Sequence, residues 1–315
     1  MLVFRADGNE RIGAGHIMRC LSWAENTEEE SVFVVADEKF ITLIEEKGFK
    51  AICLNTNYEN MESELSIISV TIEDLDVSCF YVDSYYVTKI YLNELKRICN
   101  RKNAKLVYVD DRAEFAYPCD ILLNYNIFAP DWRKKYCELY DDVGVPEMWL
   151  GMEYLPLRKE FLNVPMRTIK NDITDIFVST GGADPYHIAL KMIENVISNE
   201  ELIKDIVFHF VLGSMNLDKS KIYKLSKKNK NISLHENVKH MRELMCECDL
   251  AISAAGSTLY ELNACHIRTI TYTFADNQKP IAEAFDKKRI MHYLGDYRTD
   301  NIIEKAISYV MRLRG

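Results

Sequence analysis

Short apolar runs alternate with amphipathic stretches along this chain, and this alternation limits the possible folds more than any other feature. Such runs are typical of parallel strands that are buried on both faces. Between them, apolar residues recur three and four positions apart, as they do in amphipathic helices. In the first half the strands are predicted at 1–5, 31–37, 51–54, 79–84, 105–111 and 120–126, and the helices at 15–27, 38–48 and 88–100.

The same alternation restarts near Asp175 and continues to the end of the chain. Further strands are predicted in "DIFVSTGG", "DIVFHFVLG", "NISLHENV", "DLAISAAGS" and "TITYTFAD", and helices in "PYHIALKMIENVIS", "TLYELNAC", "QKPIAEAFDKK" and "NIIEKAISYVMRL". The segment 127–172 is less regular and is predicted to connect the two halves. We therefore expect an α/β protein with two doubly wound, Rossmann-like domains that face a central cleft, at 1–150 and 151–315.

The composition excludes several classes of protein. The chain has 48% hydrophobic and 28% charged residues, which is typical of a globular protein. No apolar run reaches the roughly 18 residues of a membrane-spanning helix, so membrane insertion is not expected. The start "MLVFRADGNE" lacks the basic and long apolar regions of a signal peptide, so a cytoplasmic location is expected. The sequence leaves the oligomeric state open, and a monomer is compatible with it.

Charge and cysteine spacing narrow the choice of ligands. The formal net charge is −9 and no long basic run occurs, which disfavours a nucleic-acid partner. An anionic substrate would then have to be bound by local positive groups. Of the nine cysteines, only Cys246 and Cys248 are closely spaced. Because no second Cys or His pair lies at zinc-site spacing, no metal is expected.

The stretch "GNERIGAGHIMRC" follows the first predicted strand and opens a helix. Gly13 and Gly15 allow a ligand to approach the backbone closely, and a helix N-terminus attracts anions. His16 on this turn is a candidate general base because imidazole exchanges a proton near neutral pH; the alternative is a histidine that only caps the turn. Met18 replaces the third glycine of a dinucleotide fingerprint, whereas Asp37 stands near its ribose-binding position, so a dehydrogenase remains an alternative.

Two more glycine turns follow predicted strands in the second half. Gly182 lies in "FVSTGGADP", where backbone N–H groups can face a phosphate, although a plain strand-to-helix turn explains it equally well. In "AISAAGSTLYELNAC", Ser257 and Thr258 can donate hydrogen bonds to a diphosphate, and Glu261 can accept them from ribose hydroxyls. The alternative is a capping box between Thr258 and Glu261 that needs no ligand. Three such turns favour one phosphate-bearing ligand.

Polar side chains at other strand ends are further candidates. Asn277 and Gln278 carry amides that can hold sugar hydroxyls, although Asp276 or Asn277 can instead cap the following helix. The strand ends "YVDSYY" and "YVDDR" are predicted to line the cleft, but salt-bridged loops would have the same sequence. Their candidate residues are Asp83, Tyr85, Asp110, Asp111 and Arg112. The histidines outside the first turn are predicted to be structural.

Taken together, these segments resemble the nucleotide-sugar hydrolases of pseudaminic acid biosynthesis (PseG-type). The resemblance rests on "FRADGNERIGAGHIMRCLSWA", "YVDSY", "YVDDR", "CDILLNYN", "GMEYLPLRKEF", "STGGADP", "ISAAGSTLYEL" and "DNQ", in this order. It implies a GT-B fold related to glycosyltransferases of the MurG kind. It also implies hydrolysis of UDP-2,4-diacetamido-2,4,6-trideoxy-β-L-altropyranose at the C1–O bond, with no metal or cofactor.

The resemblance also implies roles for particular residues. The histidine of the family's glycine turn falls on His16, which would be catalytic, and the aromatic residue near the sugar falls on Tyr85. The residues that hold UDP would be Ser257, Thr258 and Glu261, and the family's Asn-Gln pair falls on Asn277 and Gln278. Two other classes stay open: a GT-B glycosyltransferase of surface or spore-coat polysaccharide, and a nucleotide-sugar binding protein without activity.

Overall fold

The chain forms two units, Met1–Lys159 and Glu160–Gly315, each with its own parallel sheet. The computed structural model describes every residue except Glu10, Thr168 to Asn171, Glu200 to Leu202, Lys204, Lys228 and Gly315. Part of the predicted connection 127–172 therefore lies outside the described residues.

The first unit contains a seven-stranded parallel sheet. Its strands are β1 (Leu2–Ala6), β2 (Ser31–Val35), β3 (Lys50–Cys53), β4 (Cys79–Asp83), β5 (Lys105–Val109), β6 (Ile121–Asn124) and β7 (Glu147–Leu150). They are ordered β3-β2-β1-β4-β5-β6-β7. The helices are α1 (Gly15–Glu25), α2 (Ile41–Glu46), α3 (Leu65–Thr71), α4 (Lys89–Arg101) and α5 (Arg133–Leu139), and short 3-10 turns lie at Met61–Glu64, Ala129–Trp132 and Met152–Tyr154.

The second unit repeats this architecture with a six-stranded parallel sheet. Its strands are β8 (Asp175–Ser179), β9 (Val207–Val211), β10 (Ile232–His235), β11 (Leu250–Ala254), β12 (Arg268–Thr273) and β13 (His292–Asp296), in the order β10-β9-β8-β11-β12-β13. Its helices are α6 (Ile188–Ser198), α7 (Lys219–Ser226), α8 (Met241–Glu247), α9 (Thr258–Ala264), α10 (Lys279–Lys287) and α11 (Ile302–Arg314), with a 3-10 turn at Asp276–Gln278. Another 3-10 turn, Lys159–Phe161, spans the boundary between the two units.

Burial explains why the apolar runs become strands. All five residues of β1, β2 and β11 are buried, as expected for strands covered on both faces. Among these three strands, the charged residue is Arg5 of β1, a fully buried cation. Its charge must be neutralised inside the unit, since an unpaired buried charge is very unfavourable.

Several elements are absent from the sequence-based prediction or differ from it. β7 lies within the segment predicted as a connection, and β13 was not predicted because Gly295 interrupts it with a φ of 120°. The helix predicted from Pro185 begins at Ile188. Its start is fixed by Asp184, whose carboxylate accepts hydrogen bonds from two N–H groups of the first turn, at 2.8 and 2.9 Å.

Each sheet has one point at which the direction of strand succession reverses. In the first sheet β1 is paired with β2 on one side and β4 on the other. The strands that follow β1 are therefore added toward one edge of the sheet, and those that follow β4 toward the other edge. In the second sheet the corresponding strands are β8 and β11. In open parallel sheets, ligands bind beyond the carboxyl ends of the strands at such points. The topology therefore marks one candidate binding position in each unit.

No helix in the described part of the chain is both long enough and apolar enough to span a membrane.

Candidate active site

The turn that carries His16 leaves β1 at the reversal point of the first sheet. The N–H and C=O groups of Asn9 and Gly13 pair at 3.2 and 2.7 Å. The side-chain oxygen of Asn9 accepts hydrogen bonds from the N–H groups of Arg11 and Ile12, both at 2.9 Å. Gly13 has a φ of 74°, a conformation that a side chain disfavours. These bonds fix the chain so that α1 begins at Gly15 with His16 in its first turn.

His16 forms a close pair with Asp83, the last residue of β4. The two side chains are almost fully buried, and His16 Nδ1 lies 2.6 Å from Asp83 Oδ1. An ionised carboxylate only accepts hydrogen bonds, so this contact favours a proton on Nδ1, which makes Nε2 the acceptor atom of the neutral ring. This is the tautomer required of an imidazole that takes a proton from water.

Arg19, one turn along α1, binds the same carboxylate. Its Nε and Nη2 groups donate to the two oxygens of Asp83, and Nη2 also lies 3.0 Å from His16 Nδ1. Burial alone would raise the pKa of the Asp83 carboxyl, but Arg19 and then His16 outweigh it and hold that pKa well below its usual range. Asp83 is therefore a carboxylate at neutral pH.

Tyr85 follows this strand end and contacts His16. The two rings meet edge to face with centroids 4.8 Å apart. The Tyr85 hydroxyl donates to Asp111 Oδ2 at 2.8 Å, and the Arg112 guanidinium lies over the tyrosine ring, 5.2 Å from its centroid. Burial, and then the Asp111 carboxylate, raise the pKa of Tyr85, so its hydroxyl stays protonated at neutral pH.

A pocket opens beside this cluster at the reversal point of the sheet. One wall comes from the turn after β1 and the other from the residues after β4. The lining residues are Asp7, Ile12, His16, Asp83, Ser84, Tyr85 and Tyr86. The structure therefore brings the predicted base together with the predicted strand-end residues Asp83 and Tyr85, and adds Asp7, which the sequence did not single out.

Asp110 has a different place from the neighbouring Asp111. Its buried carboxylate accepts hydrogen bonds from the N–H groups of Arg112 and Ala113 and from the Tyr136 hydroxyl, at 3.1, 2.9 and 2.6 Å. Through these hydrogen bonds, Asp110 fixes the conformation of the loop after β5. Of the "YVDD" pair, only Asp111 reaches the cluster around His16.

In the second unit, the turn with Gly182 is braced by the loop after β9. The Gly182 carbonyl accepts a hydrogen bond from Met215 N–H at 3.2 Å. A Cβ atom on Gly213 would lie only 2.1 Å from this same carbonyl oxygen, so glycine is required at position 213. Gly182 itself is exposed at the carboxyl end of β8, at the reversal point of the second sheet.

Ser257, Thr258 and Glu261 lie on the other side of this reversal point, after β11. Ser257 is exposed, the other two are half-buried, and α9 begins at Thr258. The capping box considered above is not formed, because the residue at the cap position is Ser257 and no side chain caps the helix. These polar groups are therefore not used in a capping box.

Gly15 and Gly256 are explained neither by backbone conformation nor by packing. Neither has a positive φ, and a Cβ atom at either position would meet no heavy atom within 4 Å. Glycine at such positions weakens the fold relative to alanine, so its presence calls for another reason. Space for a ligand close to the backbone is such a reason, and both glycines adjoin a reversal point.

Asn277 and Gln278 lie in the 3-10 turn after β12. Asn277 is exposed, whereas the Gln278 Oε1 atom accepts a hydrogen bond from Phe274 N–H at 2.9 Å. Neither Asp276 nor Asn277 caps α10; the cap position is Gln278. Gln278 thus fixes the end of β12 through its oxygen, and Asn277 is presented to solvent.

Within the described ranges, no group of three or more His, Cys, Asp or Glu side chains is arranged to hold a metal ion.

Comparison with solved structures defines the class of the fold. MurG of Acinetobacter baumannii superposes with a TM-score of 0.64, covering 99% of this chain and 91% of MurG at 10% identity. A glycosyltransferase of Rickettsia africae superposes with a TM-score of 0.62, covering 100% and 88% at 12% identity. The fold is therefore GT-B, as the sequence resemblance predicted.

No protein-family model matches the chain, but individual relatives do. The UDP-2,4-diacetamido-2,4,6-trideoxy-β-L-altropyranose hydrolase of Campylobacter jejuni is 26% identical over 290 residues, covering 91% of this chain and 96% of the hydrolase. The spore coat polysaccharide biosynthesis protein SpsG of Bacillus subtilis is 24% identical, covering 89% and 79%. These relatives confirm the predicted resemblance to the nucleotide-sugar hydrolases.

Another relative is much longer than this chain. An uncharacterised protein of Methanocaldococcus jannaschii is 26% identical over 268 residues, which are 81% of this chain but only 52% of that protein. The chain thus spans about half the length of this relative and nearly all of the Campylobacter hydrolase.

Proposed function

We propose that this protein is a UDP-sugar hydrolase that needs no metal. Water cleaves the C1–O bond of UDP-2,4-diacetamido-2,4,6-trideoxy-β-L-altropyranose with inversion and releases UDP and 2,4-diacetamido-2,4,6-trideoxy-L-altrose for pseudaminic acid biosynthesis. The choice of substrate is supported by the sequence resemblance and by the Campylobacter relative, which is a hydrolase of this UDP-sugar. We further propose that it acts in the cytoplasm.

One observation carries the proposal: the hydrogen bond between His16 Nδ1 and Asp83 at the rim of the pocket. It directs the proton-accepting Nε2 atom of the same ring away from Asp83. General bases are oriented in this way in other hydrolases, where a carboxylate fixes the imidazole tautomer. The pair supports proton abstraction from water rather than a turn-capping role for His16.

The chemical step is a single displacement. The water oxygen forms a bond to C1 while a water proton passes to His16 Nε2. The C1–O bond to the β-phosphate breaks, and its electron pair leaves with UDP. One displacement inverts the anomeric carbon. Because UDP is a stable anion, the leaving group needs little help from a general acid.

The second unit is proposed to bind UDP. The candidate residues Gly182, Ser257, Thr258 and Glu261 flank the reversal point of its sheet, where ligands of open parallel sheets bind. Asn277 follows the next strand of the same sheet. Hydroxyl and backbone N–H donors suit the diphosphate, and the Glu261 carboxylate suits ribose hydroxyls. α9 has seven residues, so its dipole adds little to these direct contacts.

The pocket beside His16 in the first unit is proposed to bind the sugar. Ile12, Tyr85 and Tyr86 provide apolar surface, and Asp7 and Ser84 provide polar groups. A trideoxy sugar with two acetamido groups presents a similar mixture: methyl groups that favour apolar contact and N–H groups that donate to carboxylates. A fully hydroxylated hexose would match the apolar part of this wall less well.

The direct test is NMR of the purified protein with the UDP-diacetamido-altrose substrate, with and without EDTA and without an acceptor. The proposal predicts free sugar whose first-formed anomer is inverted, together with one equivalent of UDP, at the same rate in EDTA. Binding of UDP without any turnover would contradict the hydrolase assignment. Turnover that stops in EDTA would contradict the metal-independent part alone.

A glycosyltransferase is the second candidate, because the Bacillus subtilis relative SpsG is a spore coat polysaccharide biosynthesis protein. A transferase would hold the sugar until an acceptor hydroxyl arrived and would release little free sugar alone. The NMR experiment separates the two, since the hydrolase releases sugar at full rate without an acceptor.

Gly256→Ala tests the UDP site without threatening the fold. The added methyl meets no protein atom within 4 Å, so we expect an unchanged unfolding midpoint. If the diphosphate lies against this backbone, the Kd for UDP should rise about tenfold, a loss of about 1.4 kcal/mol. Isothermal titration calorimetry measures this change.

Gly15→Ala is the matched control, because it adds a methyl in open space at the turn of the first unit. We expect its Kd for UDP to equal that of the parent. Equal UDP affinity in the parent and Gly256→Ala would place the diphosphate elsewhere.

A further inference from the structure

Arg19 is a cation that lies beside the proposed base, and no sequence pattern singled it out. It lies three positions after His16 on α1, so both side chains project from the same face of the helix. Its Nε and Nη2 groups occupy both oxygens of Asp83, and Nη2 approaches His16 Nδ1 to 3.0 Å. Arg19 and His16 therefore compete for one carboxylate.

The other titratable and charged groups around this pair lie on five elements or directly after them: β1, α1, β4, β5 and β6. Asp83 ends β4, and Asp111 follows β5 with its Oδ2 atom 3.7 Å from Arg19 Nη1. After β6, the Tyr125 hydroxyl accepts from Arg19 Nη1 at 3.1 Å. The remaining neighbours are Tyr85, whose ring contacts His16; Arg112, which stacks on Tyr85; Cys20, 3.8 Å from Asp83; and Asp7, on the opposite pocket wall.

We propose that Arg19 is a positioning residue that disfavours the imidazolium form of His16 in the resting enzyme, so that the base is ready to accept a proton at neutral pH. The proposal rests on the hydrolase function proposed above and adds to it a residue that sets its working pH.

The sign follows from the charges. In a simple histidine–aspartate pair, the carboxylate stabilises the imidazolium without competition, which favours protonation of the base before the reaction begins. Here the guanidinium already neutralises Asp83, so protonation of His16 would place two cations beside one carboxylate. A general base works best when it changes protonation near the operating pH. Arg19 therefore makes His16 a weaker base, but it increases the fraction of His16 that is unprotonated and able to accept a proton.

The test compares Arg19→Gln, Arg19→Lys and the parent by NMR titration of labelled histidine imidazoles. The chain has seven histidines, and His16→Asn identifies the signal of His16. In Arg19→Gln we expect the His16 midpoint to move upward by about one to two pH units, from the loss of one close cation. Arg19→Lys keeps the charge but contacts fewer carboxylate oxygens, so it should give a smaller upward shift.

Arg97→Gln is the charge-matched control, since Arg97 lies on the exposed side of α4 and pairs only with Glu94 among the described contacts. In the Arg97→Gln variant, the midpoint of the His16 titration should equal that of the parent. Tryptophan fluorescence verifies the fold of each variant. If Arg19→Gln does not fold, the titration of Arg19→Lys tests the proposal.

The acid limb of the pH–kcat profile should move with the NMR midpoint, with KM unchanged. A folded Arg19→Gln protein whose His16 midpoint stays at the parent value, or moves downward, overturns the inference. A uniform loss of kcat at every pH with an unmoved midpoint likewise assigns Arg19 a purely structural role. If the parent does not hydrolyse the UDP-sugar, the proposed function fails, while the upward midpoint shift would still establish the control by Arg19.

Discussion

Replacing His16 with asparagine should lower the rate of UDP-sugar hydrolysis by about 10²–10⁴-fold, the usual contribution of a positioned general base. The asparagine amide can still donate a hydrogen bond to Asp83, as Nδ1 does in the parent, at 2.6 Å. It cannot supply the proton acceptor at the position of Nε2. The loss should appear in kcat, and the Kd for UDP should stay unchanged in calorimetry.

His16→Ala separates the catalytic role from a structural one. If His16 only fixed the turn through Asp83, the asparagine variant would retain activity and the alanine variant would lose it. If His16 is the base, both variants lose activity to a similar extent. His209→Asn is the control: its imidazole Nε2 lies 2.9 Å from Asp175, which begins β8 at the end of the sheet opposite the glycine turns. Its activity should stay within about twofold of the parent, as expected away from the site.

The sequence predicted the parts of the fold that depend on local pattern. Runs such as "SVFVV" became buried strands, and "GAGH" opened a helix, because burial on both faces and glycine turns leave local marks. The order of the strands was not predicted, since it depends on pairing between distant segments. β7 and β13 were missed because each is short or interrupted, with Pro146 before one and Gly295 within the other.

The residues of the candidate site also divide into those predicted from local sequence and those that depend on contacts between distant segments. His16 was identified from its turn, whereas Asp83 was one of several strand-end residues until the parallel pairing of β1 with β4 placed it beside the histidine. Arg19 was missed because an arginine on an amphipathic helix usually faces solvent. The three-residue spacing between His16 and Arg19 becomes informative only once Asp83 is known to lie beside both. The sequence thus pointed to the proposed base, and the topology identified the groups that contact it.

The largest effect on stability is expected from the buried ion pair that adjoins the candidate site. Arg5 and Glu64 are fully buried and joined by two hydrogen bonds of 2.8 and 2.7 Å. The third guanidinium nitrogen donates to Asp7 at 2.6 Å, and the Tyr91 hydroxyl donates to Glu64 at 2.8 Å. Asp7 in turn lines the pocket beside His16. This network links the core of the first unit to its candidate site.

Glu64→Ala should lower the free energy of unfolding of the first unit by about 3–5 kcal/mol, because it leaves Arg5 with a single carboxylate partner in the interior. All three tryptophans, Trp23, Trp132 and Trp149, lie in this unit, so urea unfolding followed by tryptophan fluorescence reports on it separately. Tyr91→Phe removes one hydrogen bond and should cost about 1 kcal/mol.

Glu94→Ala is the matched control, since Glu94 also pairs with an arginine but on the exposed surface of α4. Such pairs contribute about 0–1 kcal/mol, so this variant should unfold close to the parent. Replacing both buried partners, as Arg5→Met with Glu64→Leu, removes the uncompensated guanidinium and should recover part of the stability lost in Glu64→Ala. The recovery is partial because the buried Asp7 carboxylate then lacks its ion-pair partner. The double variant also removes the cation that holds Asp7, so its hydrolysis rate should fall even though part of its stability is recovered. A double variant no more stable than Glu64→Ala would contradict this prediction, because the packing lost in this region and the charge left on Asp7 would then outweigh the removal of the buried guanidinium.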